Sequence, residues 1–128
     1  MRDIARSFTA YMWVGNTTEL RLLTQPLMRY GDGWTEIIDG ALFAYVWTLG
    51  TDPEFVLLVE CRRDAQGPAW YFAPARFSNR GVWLKRADKD VWGVYGHDEP
   101  PGKRTTQIYT TAFARSMADR RKSAAPGD

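Results

Sequence analysis

Few residues in this chain could do chemistry, and most of them lie on two neighbouring apolar runs. Phe43, Tyr45 and Trp47 alternate along the first run; Glu60 sits in the second, with Arg62 two residues on. Joined by Gly50-Thr51-Asp52-Pro53, the two runs read as a β-hairpin. A four-residue loop sets Leu49 against Glu54, which places Trp47 opposite Val56, Tyr45 opposite Leu58 and Phe43 opposite Glu60. That face would be an aromatic concavity holding one carboxylate, the usual make-up of a small-ligand site. In it Glu60 would be the general base of a hydrolase or isomerase. The competing reading, an ion pair of Glu60 with Arg62 or Arg63 near the strand end, carries more weight, because structural ion pairs occupy carboxylates in the same way. A loop one residue longer would put Glu60 opposite Ala44 and undo the site.

Other candidates are thinner. Trp83 and Trp92 fall on two later strands and could form a stacking platform for sugar rings or bases, although large aromatics more often close a small core. His97, the only histidine, stands beside Asp98 and Glu99 in a polar loop, where a solvated side chain is the commoner meaning. Cys61, the only cysteine, lies in an apolar strand and reads as a buried, inert thiol. Spacings that would hold a metal, a phosphate loop and a dinucleotide fingerprint are all missing, so no metal or cofactor is expected.

Turn signals divide the middle of the chain at near-regular intervals, among them Asp39-Gly40, Gly50-Thr51-Asp52-Pro53, Ser78-Asn79-Arg80-Gly81 and Asp88-Lys89-Asp90. Between them, residues 20–30, 41–49, 55–62, 70–77, 82–86 and 91–95 are rich in aromatic and β-branched side chains. Short connections make neighbouring strands antiparallel. The fold class is therefore mainly β, with α+β left open: an antiparallel meander of about six strands, a strongly bent sheet or partly closed barrel with short terminal helices. Pro26 and Pro74 should mark an edge, a bulge or a bend. Residues 2–12 carry helical spacing, while residues 8–14 read equally as a strand. Residues 105–110 suggest a strand, and a short helix should follow from Thr111 to Lys122.

The chain reads as a single domain over residues 1–128, with a core at 17–97, a basic extension at 101–128 and a disordered end at 123–128. Residues 1–100 carry 11 basic and 13 acidic side chains, and residues 101–128 carry six and two, so the net charge of +2 conceals an acidic body and a basic tail. An acidic body argues against nucleic acid as partner, although strand aromatics with the tail's Lys103, Arg104, Arg120, Arg121 and Lys122 keep a nucleic-acid-binding domain as an alternative. The longest apolar run, residues 41–49, is too short to span a bilayer, and the lone cysteine agrees with a cytoplasmic protein.

Residues 22–30, Leu-Leu-Thr-Gln-Pro-Leu-Met-Arg-Tyr, with the 39–46 and 50–54 segments ahead of an aliphatic strand, resemble an uncharacterised family of bacterial β-rich proteins. The likeness covers about a third of the chain and implies a fold without an activity. The residues favour a non-catalytic module that binds a small ligand or a protein through Phe43, Tyr45, Trp47 and Glu60, or through Trp83 and Trp92. An open edge strand could also pair with a second copy to make a homodimer.

Overall fold

Alternating apolar side chains and closely spaced turn residues produce a protein that is almost entirely antiparallel β, with two sheets, one of them curled into a half-barrel, and one short helix. A computed structural model describes residues 1–31, 36–48, 50, 52–94 and 114–115. Helix α1 (Arg2–Arg6) leads into β1 (Phe8–Trp13), so the N-terminal segment uses both of its sequence periodicities, one after the other. Ser7 ends the helix, its Oγ donating to the Ile4 carbonyl at 2.5 Å. Gly15, at φ +88°, then turns the chain into β2 (Thr17–Glu19).

The larger sheet runs β10 (Ala114–Arg115), β7 (Gly67–Arg76), β6 (Pro53–Asp64), β5 (Ile37–Val46) and β3 (Arg21–Leu22), with β4 (Met28–Tyr30) also pairing along β5. Strands β5, β6 and β7 form the meander. The next hairpin, β8 (Val82–Arg86) and β9 (Lys89–Val94), leaves it for a second sheet of order β2-β1-β8-β9. Pro26 lies in the connection between β3 and β4. Pro74 lies in β7, which among the described residues is met beyond β6 only by Ala114–Arg115 against Phe72 and Tyr71. Where a helix was expected from Thr111, Ala114–Arg115 form strand β10. An open ladder supplies backbone partners that a marginal isolated helix cannot match. The remaining residues of the basic extension lie outside the described residues, as do residues 105–110, where the sequence suggests a strand.

The inner faces of the two sheets make the core. Phe8, Ala10 and Met12 of β1 and Val82 and Leu84 of β8 meet Ala41, Phe43, Tyr45, Phe55, Leu57, Val59 and Phe72 of the larger sheet, all of them buried. Phe8 and Phe72 bridge the sheets with ring centroids 4.8 Å apart, and Phe55 meets Trp92 at 5.5 Å. Each fully buried side chain of this size contributes about 1.5–3 kcal/mol. Arg76, 1% exposed, braces the corner where the chain changes sheets, its Nη1 donating to the Arg80 carbonyl at 3.3 Å.

The β5–β6 register differs from the one counted across a four-residue loop. Phe43 opposes Leu57, Tyr45 opposes Phe55 and Glu60 opposes Gly40. Pairing ends at Val46 and Pro53, and a bulge at Tyr45/Val46 adds a residue on β6. The ladder is thus displaced by three residues, an odd number, and every facing relation across the hairpin inverts. Phe55, Leu57 and Val59 join Phe43 and Tyr45 in the core. Leu42 and Ala44 turn to the other face with Leu58 and Glu60, so the purely aliphatic core face expected from the sequence does not form.

The β8–β9 hairpin turns through Ala87 and Asp88, at φ 51° and 61°. Two left-handed residues in a two-residue loop are better supplied by Asn-Gly. The double variant Ala87→Asn/Asp88→Gly should therefore gain about 1 kcal/mol in urea unfolding; a loss would show that the turn is held by something other than its backbone preference.

Candidate functional site

The six residues singled out in the sequence occupy three different environments. Phe43 and Tyr45 are each 1% exposed and belong to the core, where the Tyr45 hydroxyl donates to the Ala5 carbonyl at 3.2 Å. Trp47 is half-buried and packs on the same core. None of the three lines an open concavity with Glu60, which faces the other side of the sheet.

Glu60 is nevertheless the centre of a polar cluster. It is 4% exposed, receives the Tyr30 hydroxyl on Oε1 at 2.5 Å and the Arg62 Nε on Oε2 at 2.6 Å. The Arg62 guanidinium also stands 5.8 Å from the centre of the Tyr71 ring, and Tyr71 donates to Asp64 at 3.1 Å. Buried charge is retained where both carboxylate oxygens are satisfied, as they are here. Gly40 makes the cluster possible. It lies between Tyr30 on β4 and Glu60 on β6, and a Cβ on it would come within 2.5 Å of the Tyr30 ring. Asp39-Gly40, a turn signal in the sequence, is thus an interior part of β5. Its glycine clears the path for the tyrosine, and its aspartate pairs with Arg29 at 3.1 Å.

The outer face of the second sheet holds a different group. Tyr11 opposes Trp83, with ring centroids 6.3 Å apart and planes inclined by 21°. Trp13 lies two residues along β1 on the same face, and the Lys85 ammonium stands 5.6 Å from the centre of the Tyr11 ring. Tyr11, Trp13 and Trp83 are all partly exposed. Gly93, opposite Trp83, adds no side chain, and a Cβ there would press on the Trp83 Cβ at 3.1 Å. Glu19 borders this surface opposite Tyr11, and Asp90 borders it at 3.9 Å from Lys85.

Trp92 does not join Trp83. Continuing the Arg86–Lys89 and Lys85–Asp90 pairing would set Trp83 against Trp92, but a bulge at Leu84/Lys85 shifts the ladder so that Trp92 opposes Leu84 and packs on the core. Tyr11 and Trp13 were not singled out because their segment reads equally as a helix and as a strand, and only the strand puts both on one face. The available signal was Gly93, a glycine inside a strand next to a tryptophan strand. Cys61 is buried, and His97 lies outside the described residues.

Gly40→Ala should cost about 2 kcal/mol through the forced Tyr30 ring, and Tyr30→Phe about 1 kcal/mol. The double variant should cost less than the sum, since the first change already displaces the ring; urea unfolding of the three variants measures this. Burial raises the Tyr45 phenol above its ordinary 10.0, and burial together with the Glu60 hydrogen bond and charge does the same for Tyr30. Folded phenols therefore hold protons that unfolded ones release, and stability should be full below pH 10 and fall as pH rises beyond it. Tyr45→Phe should flatten that decline in alkaline urea titrations. No protein-family model matches the chain, and neither a curated protein nor a solved structure matches it.

Proposed function

We propose that this protein is a non-catalytic binding module whose outer aromatic face, Tyr11, Trp13 and Trp83, holds a small neutral ring, a sugar above all. The observation that carries the reading is the Tyr11–Trp83 pair, two nearly parallel rings turned away from the core. Sugar rings present C–H faces that lie flat on such surfaces, and their hydroxyls take hydrogen bonds at the margins. Lys85, Glu19 and Asp90 stand at those margins with donors and acceptors. The two carboxylates also weigh against the phosphate backbone of nucleic acid, which would pass beside them. Glu60 supports a binding module over a hydrolase or isomerase, because Tyr30 and Arg62 occupy its two oxygens.

Titration with neutral oligosaccharides of glucose, galactose and N-acetylglucosamine, followed by tryptophan fluorescence, tests this reading. At least one should bind saturably, and Trp83→Ala should weaken it about tenfold or more while leaving urea unfolding close to unchanged. Failure of every sugar, or equal binding by Trp83→Ala, removes the reading. Tight binding of single-stranded oligonucleotides with steep salt dependence would replace it with the nucleic-acid alternative.

A further inference from the structure

A hollow lies between α1 and the β4–β5 edge, lined by none of Tyr11, Trp13 and Trp83. It encloses about 640 Å³, within the roughly 300–1,000 Å³ of small-ligand sites. Pro26 supplies a partly exposed apolar side chain, with Phe43 and Ala41 buried behind it, and its walls carry Arg2, Arg6 and Arg29. Arg2 and Arg6 stand four residues apart on α1, so both side chains project from one side of the helix. Like charges at that spacing repel, and among the described residues neither guanidinium has an ion-pair partner. Arg29 faces them from β4, held by Asp39, which spends its charge in that pair. Asp3 also stands at the rim. Arg2 and Arg6, with Arg29 held by Asp39, therefore outnumber the carboxylates of Asp3 and Asp39 around the hollow. The helix itself is too short to attract an anion, so the attraction comes from the side chains.

We propose that this hollow binds a small organic anion: a carboxylate or phosphate group held between Arg2, Arg6 and Arg29, carried on a small apolar group that rests against Pro26. Guanidinium groups match both oxyanions with paired, nearly coplanar hydrogen bonds, and fixing such an anion relieves the repulsion between Arg2 and Arg6. Pro26 and a volume of about 640 Å³ leave room for an organic group beyond the anionic head.

Phenyl phosphate, benzoate and the neutral benzyl alcohol, titrated into the whole protein and followed by amide NMR shifts, test the proposal. At least one of the two anions should bind saturably, shifting residues 2–6 and 25–29, and the stronger of them names the natural head group. Arg2→Gln/Arg6→Gln should weaken that binding about tenfold or more, because two of three charge-assisted partners are gone. Raising the salt concentration should weaken it in the unaltered protein as well, a readout that does not depend on the variant folding. Trp83→Ala should leave it unchanged, so a failed sugar platform and a failed anion site are separable results. The proposal is overturned if neither anion saturates, if the double arginine variant binds as the parent does, if benzyl alcohol binds equally well, or if Trp83→Ala abolishes binding.

Discussion

The pairing of β5 with β6 is the constraint on which the rest of the structure depends. A ladder has a period of two, so its register alone decides which side chains enter the core and which meet water. At one end the bulge at Tyr45/Val46 sets the count. At the other the Tyr30 ring, laid across Gly40 onto Glu60, fastens three strands at one level. Any slip of one residue would put Glu60 on the same face as Phe43 and Tyr45, so that either the carboxylate is buried under the second sheet or the two aromatics leave the core, and each is far costlier than the bulge itself. The polar cluster acts as a registration pin whose energetic value lies in excluding alternatives, a role best attested for buried polar groups that fix alignment.

The second sheet repeats the device. Its bulge at Leu84/Lys85 sends Trp92 inward against Phe55 and leaves Trp83 outward against Tyr11. One inserted residue thus divides two similar tryptophans between core closure and surface. On that outer face Tyr11, Trp13 and Trp83 each remain partly exposed.

The strands were legible and their relations were not. Aromatic and β-branched runs between turn residues located β5 to β9 within a few residues, because composition acts locally. Glu60 with Arg62 was readable as an ion pair for the same reason, the two lying on one side of one strand. The facing of Phe43, Tyr45 and Trp47 was beyond reach, because a bulge depends on how two strands meet and leaves no mark on either. Asp39-Gly40 read as a turn since a glycine needed for close approach and one needed for a bend are the same residue in sequence. The anion hollow escaped notice because Arg2, Arg6 and Arg29 come from separate elements, and only the docking of α1 against the β4–β5 edge collects them.

Strand β1 is central in the second sheet, between β2 and β8, yet it precedes every other described strand along the chain. Its principal partner, β8, follows only after the whole β5–β7 meander has been made. A chain growing from its N-terminus must carry Phe8, Ala10 and Met12 with one side of their strand unpaired for most of its synthesis, the circumstance in which nascent strands pair wrongly. Closing the sheet late and over so long a separation makes it a slow step. Among the described strands, the three-residue β2 is the partner made early enough to shield β1 during that interval. Shortness also keeps β2 a poor template for a second chain, which suits a strand that stands beside one left half-paired for so long.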